Sequence, residues 1–171
     1  MVNATLNVNY YGILRTTHAL LPQLKPSGRI VNIASMAGML SRYSESTASR
    51  FRAARTEDDS TALMREFSTA VADGDAAIET AGFPKHAYGV SKAGVIAYTR
   101  ALAHQLVSSD DESKRSVLVN SCCPGWVHTS MTKGRGHKTP DAGAETPVLL
   151  AIGDISGRSG GYWKSEKEED W

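Results

Sequence analysis

Tyr88 and Lys92 stand four residues apart, so on a helix they share one face, a turn from each other. A free phenol has a pKa of about 10 and is a poor acid at neutral pH. A neighbouring ammonium stabilises the phenolate and lowers that value. A tyrosine tuned in this way can hand a proton to a carbonyl oxygen as hydride reaches the carbon. Ser35 is a hydroxyl of the type that donates to the developing alkoxide. No side chain supplies a hydride, so this chemistry calls for a nicotinamide.

These residues need a frame. Residues 3–24 predict a helix, with Leu6, Tyr10, Ile13, Leu14, Thr17, Leu21 and Leu24 on one side. Lys25-Pro26-Ser27-Gly28 breaks it, and Arg29–Ala34 is a short β-rich run that ends just before Ser35. Residues 41–85 turn rich in Ser, Thr, Ala, Arg and Asp, which predicts a surface insertion within one domain. Inside it, Ser60–Val71 has weak helical spacing with Ser60 placed as a cap. Residues 86–107 predict a long helix with a face of small residues: Val90, Ala93, Gly94, Ala97 and Ala101. A charged loop, Ser108–Arg115, leads to a second buried strand, Ser116–Cys122, which Pro124-Gly125 stops. Thr139-Pro140 has the form of a cap and first helical residue for a helix reaching about Ile152. A short strand at Tyr162-Trp163 and a solvated acidic tail complete the expected order.

A strand, helix and strand with buried strands predict a parallel pair joined by a crossover. Both strands then end at one sheet edge, where open α/β sheets place their ligands. So Ser35-Met36 and Pro124-Gly125-Trp126-Val127 are expected side by side, with Tyr88 and Lys92 on the crossover helix above them. The fold class expected is α/β, the second part of a doubly wound parallel sheet.

The formal net charge of +1 and the charged fraction of 22% offer no basic surface for nucleic acid or a membrane. No apolar run approaches the ~20 residues of a bilayer span. Cys122 and Cys123 are adjacent and point to opposite faces of a strand, which disfavours a shared metal or a mutual disulfide. His128 and His137 lack zinc spacing, so no metal is expected. A reducing cytoplasm is the default compartment.

A Tyr-x-x-x-Lys pair alone is a common coincidence; the surrounding motifs give it weight. Tyr88-Gly89-Val90-Ser91-Lys92, with Ile30-Val31-Asn32-Ile33-Ala34-Ser35, resembles the catalytic region of the short-chain dehydrogenase/reductase family. Asn9-Tyr10-Tyr11-Gly12 resembles its Asn-x-x-Gly segment, and Pro124-Gly125-Trp126-Val127-His128-Thr129 its Pro-Gly-x-Val-x-Thr segment. The run Asn120–Val127, the later Gly143-Ala144-Glu145-Thr146-Pro147 and the long insertion after Ser35 resemble the carbonyl reductases of that family.

The resemblance implies a Rossmann-type fold and NADP(H)-dependent reduction of small aldehydes and ketones by a monomer. It implies Tyr88 as proton donor, Lys92 as its tuning partner and ribose ligand, and Ser35 as the group polarising the carbonyl. Asn9 would order a water beside Lys92. Pro124, Gly125, Val127 and Thr129 would meet the nicotinamide end of the cofactor, and Met36 and Trp126 the substrate. The family's strand with a Gly-x-x-x-Gly-x-Gly turn, which receives the pyrophosphate, has no counterpart, and Gly134-Arg135-Gly136 does not replace it. The chain therefore reads as a single partial domain, 1–171, with the first βαβ half missing and residues 41–85 inserted. An inactive product or a binding module is the alternative to a reductase.

Overall fold

The computed structural model describes residues 2–171. Four strands form one sheet: β1 (Arg29–Ile33), β2 (Leu118–Cys123), β3 (Tyr162–Lys164) and β4 (Lys167–Glu169). Their spatial order follows the chain; β1, β2 and β3 run parallel and β4 returns antiparallel. Val119 to Cys123 are all buried, as expected for a strand covered on both faces. The two thiols part as the pleat requires, Cys123 joining the main apolar cluster and Cys122 a smaller one with Leu150, Ile155 and Trp163.

The expected first helix is interrupted. Helix α1 (Val2–Leu6) passes into a π turn (Asn7–Tyr11), then α2 (Gly12–Leu20), then a 3-10 turn (Leu21–Gln23). A π turn carries one extra residue per turn and leaves backbone groups without their usual partners. Here the Arg15 guanidinium donates to the Asn7 carbonyl at 3.0 Å. The same turn drives Tyr10 fully into the core, where its hydroxyl meets Ser60 Oγ at 2.8 Å and Thr61 Oγ1 at 2.9 Å.

Those partners lie in the inserted segment, which folds as α3 (Glu45–Ala53), α4 (Glu57–Asp73) and α5 (Asp75–Thr80). Its Phe51, Leu63, Met64, Phe67 and Phe83 share one apolar cluster with the crossover helix α6 (Ala87–Val107). The expected cap at Ser60 is wrong. Thr56 caps α4, its side chain accepting from the Asp59 amide while Asp59 returns bonds to the backbone of Arg55 and Thr56. Ser60 is a buried partner for a phenol instead.

Helix α6 is buried on nearly every side, since the sheet lies against one side and α4 against another. Of its small face, Gly94 serves α4 and the π turn: a Cβ there would stand 2.6 Å from Met64 Sδ and 2.9 Å from the Tyr10 ring. The charged loop contains one short helix, α7 (Glu112–Arg115). Helix α8 (Pro140–Ile152) begins where the sequence places it, Thr139 Oγ1 accepting from the Ala142 amide at 3.2 Å.

The acidic tail departs from expectation. Ser165 and Glu166, at φ 49° and 59°, make a tight hairpin between β3 and β4, where left-handed backbone matches the strand twist. The β4 side chains are exposed, but Trp171 beyond them is buried against Phe51.

Candidate active site

Ser35 follows the end of β1 and caps a 3-10 turn (Met36–Gly38), its Oγ accepting from the Ala37 amide at 3.1 Å. That bond uses a lone pair and leaves the hydroxyl hydrogen free to donate. The turn presses against the start of α6 at two glycines. A Cβ on Gly38 would lie 2.7 Å from the Ala93 nitrogen and Lys92 carbonyl carbon, and one on Gly89 would lie 2.6 Å from the Ala37 oxygen. Backbone contact this close fixes Ser35 relative to Tyr88 and Lys92, and only residues without a Cβ allow it.

Lys92 Nζ donates to the Ile33 carbonyl at 2.7 Å, tying α6 to the end of β1. The ammonium lies 5.7 Å from the Tyr88 ring centroid. Burial lowers the pKa of Lys92, and the Cys123 thiol beside it acts in the opposite direction. Tyr88 is half-buried and lines the same cleft as Ser35 and Lys92.

Asn9 reaches α6 one residue away from Lys92. Its Nδ2 donates to Ser91 Oγ at 3.0 Å, and Ser91 Oγ donates to the Tyr88 carbonyl at 2.7 Å. The structure thus links Asn9 to the helix turn that bears Tyr88, through Ser91.

The opposite wall follows β2. Gly125 has φ 89°, a left-handed conformation suited to glycine, and turns the chain across the cleft mouth. Trp126 is half-exposed and held by a bond from its indole nitrogen to the Arg135 carbonyl, 2.9 Å. Val127 bridges to Lys138, and a Cβ on Gly143 would stand 2.5 Å from Val127 Cγ2, so this loop is clamped at its base. The cleft has a volume of about 770 Å³, and Ser35, Met36, Tyr88, Lys92, Pro124, Gly125, Trp126, Val127 and Thr129 all line it. Asn9 does not.

His86 and Met131, which no sequence motif marks, also line the cleft, as does Cys123, which the sequence marks only as a strand thiol. His86 was discoverable, since it stands two residues before Tyr88 at the cap position of α6; its ring centroid is 6.1 Å from that of Tyr88. Met131 lies in a loop whose position the sequence does not give. Among the described residues no three His, Cys, Asp or Glu side chains cluster as metal ligands.

Residues 45–148 match the family described as enoyl-(acyl carrier protein) reductase, and residues 1–52 match the one described as short chain dehydrogenase. Carbonyl reductase (NADPH) 3 of Rattus norvegicus is 44% identical over 86% of this chain and 53% of its own length. Carbonyl reductase (NADPH) 1 of Mus musculus is 38% identical over 98% of this chain and 61% of its own. The chain thus spans between about half and three fifths of these relatives. Salutaridine reductase from Papaver somniferum superposes with a TM-score of 0.81 at 33% identity, over 95% of this chain and 54% of that one. With the first of these family matches covering more than half of the sequence, and carbonyl reductases among its relatives, the chain belongs to the short-chain dehydrogenase/reductase family, in its carbonyl reductase subgroup.

Proposed function

We propose that this chain carries the proton-donating and carbonyl-binding part of an NADPH-dependent reductase of aldehydes and ketones. The single observation that supports it most is the meeting of Ser35, Tyr88 and Lys92 at one cleft, reached from two separate stretches of sequence. The names of the relatives supply the cofactor and the substrate class.

The residues present fit the nicotinamide and ribose end of such a cofactor. Lys92 and Tyr88 offer hydrogen-bond donors at the cleft, and the Pro124–Val127 turn, with Thr129 beyond it, forms the facing wall. When bound, the reduced nicotinamide supplies the hydride. Ser35 donates its free hydroxyl hydrogen to the carbonyl oxygen and holds it as negative charge develops. Tyr88 gives that oxygen its proton. Lys92 holds positive charge beside the ring, favouring the phenolate that this transfer leaves. Asn9 acts through Ser91 on the turn bearing Tyr88. Met36 and Trp126 offer exposed apolar surface to the substrate.

The reading treats residues 1–171 as one partial domain, supported by the apolar cluster common to the insertion and α6. It also takes the protein as cytoplasmic and monomeric. Two free, buried cysteines support the first, and the cover that α4 gives α6 supports the second. No helix among the described residues is long and apolar enough to cross a membrane.

The test measures NADPH consumption with an aromatic aldehyde by this chain and by this chain joined to the nucleotide-binding half of a carbonyl reductase. Turnover in the joined chain should fall roughly a hundredfold or more on Tyr88→Phe. Turnover unchanged by that substitution would sink the reading. These residues carry no glycine-rich phosphate turn, which leaves a second reading: an inactive product, or a module that binds something other than the nucleotide. Titration of the chain alone with NADPH, followed by tryptophan fluorescence, separates the two: tight saturable binding excludes the second.

A further inference from the structure

Trp171 lies 136 positions after Ser35 in the sequence, yet its indole N–H donates to the Gly38 carbonyl at 2.8 Å, at the last residue of the turn that Ser35 caps. We infer that Trp171 is a positioning residue for Ser35, holding the Met36–Gly38 turn against the helix that carries Tyr88 and Lys92. The inference rests on the proposed role of Ser35 and adds a residue that no motif marks.

Two independent features of the turn carry it. The turn has no slack on the α6 side, where Gly38 meets the backbone at Lys92 and Ala93 and Ala37 meets Gly89. The Gly38 carbonyl takes the Trp171 bond, so the turn is held both by the start of α6 and by the segment after β4. Within it, the Gly38 amide donates to the Ser35 carbonyl at 2.9 Å and the Met39 amide to the Met36 carbonyl at 3.2 Å. These two amides report whether the turn is closed.

Trp171 is itself fixed from three directions. Its ring stands edge-on to Phe51 at 6.1 Å, the Arg100 guanidinium lies 5.8 Å from it, and Arg52 Nε donates to its carbonyl at 3.4 Å. The hairpin of β3 and β4 delivers it there. The indole therefore has an apolar role, through its ring, and a polar one, through its N–H. Trp171→Phe keeps most of the first and removes the second. Phe51→Leu does the reverse.

Amide hydrogen exchange on the whole chain tests this without nucleotide or turnover. In W171F the Gly38 and Met39 amides should exchange roughly three- to tenfold faster, the loss expected for one hydrogen bond, while amides of α6 and β2 keep their protection. In F51L those two amides should stay within about twofold of the parent. Unchanged turn exchange in W171F overturns the inference. So does equal loosening by F51L, or loss of protection throughout α6 and β2 in W171F, since either makes Trp171 a core residue only. In the joined chain, W171F should lower kcat with KM held, because a displaced Ser35 is missed chiefly in the transition state. A raised KM at constant kcat would also overturn it. Absence of carbonyl reduction by the parent, with the exchange pattern as expected, counts against the functional reading alone.

Discussion

Along β3 the sheet is finished by β4, a short strand with exposed charged side chains, whereas along β1 it stops with no strand beside it among the described residues. The β4 side has the features of a protected edge: three residues, a tight turn and lysine and glutamate outward. The β1 side is an apolar groove of about 510 Å³ between that strand and α2, walled by Val8, Ile13, Leu20, Leu21 and Ile30. Val8 is 73% exposed and Leu20 52%, values foreign to a helix face turned toward a sheet. The difference teaches which flank of the sheet these residues close by themselves. Ser35, Tyr88, Lys92 and the Pro124–Val127 turn hang from the core between α6, β1 and β2, Asn9 reaches α6 from the π turn, and the tail after β4 bonds to the turn that Ser35 caps. The groove and the candidate cleft share no lining residue.

The largest test of this contrast is a pair of truncations. Trp163 on β3 is 4% exposed and its indole nitrogen donates to Asn120 Oδ1 at 3.3 Å, so Trp163→Ala should cost about 3–5 kcal/mol in urea unfolding. Leu20→Ala on the groove should cost under about 0.5 kcal/mol. Comparable losses would erase the distinction between the two flanks.

Alkali gives a second, smaller separation. Burial pushes the Tyr10 and Tyr98 phenols and the Cys122 thiol up to about 12, and raises Tyr162 further. A folded-state pKa above the unfolded one means that the native state keeps the proton longer. The stability is whole below the unfolded value and lost as pH rises through the folded one. Stability should therefore decline from roughly pH 9–10 toward 12, by about 1.4 kcal/mol per unit for each group. Tyr10→Phe should flatten that decline by the contribution of one group across pH 10–12, roughly 2–3 kcal/mol in all. Denaturant midpoints measured across this range check it, and an unchanged slope would mean that Tyr10 is not the buried group described.

Much of this was legible in residue patterns. The four-residue step from Tyr88 to Lys92, the β-rich run before Ser35 and the Thr139-Pro140 helix start are local signals, and each survives in the fold. What escaped is long-range. The π turn inserts a residue that leaves the 3/4 spacing almost intact, so a continuous helix and an interrupted one read alike. The insertion looked weakly periodic because Ser60 and Thr61 are buried as partners for Tyr10, and polar residues in a core hide its stripe. The Thr56–Asp59 cap is a local signal with the spacing of a capping box, three residues from Thr to Asp, and it starts the helix four residues before Ser60. In the tail, charged side chains disguise a strand whose pairing is made by backbone alone, and nothing local announces that Trp171 turns back to Gly38.

The smallest effect concerns the groove alone. An exposed apolar face beside a free strand edge invites association between copies. A lysine at Leu20 would place charge in that face without disturbing buried contacts, so Leu20→Lys should leave stability within about 0.5 kcal/mol while reducing concentration-dependent light scattering. Val107, 63% exposed at the end of α6 and outside the groove, is the matched control: Val107→Lys adds the same charge to the whole molecule. If both lysines suppress scattering equally, net charge is the cause and the groove has no special part in association. If only the lysine at Leu20 does, the open flank of β1 is the sticky surface, and the closed flank at β4 owes its quietness to the hairpin that also carries Trp171 to the site.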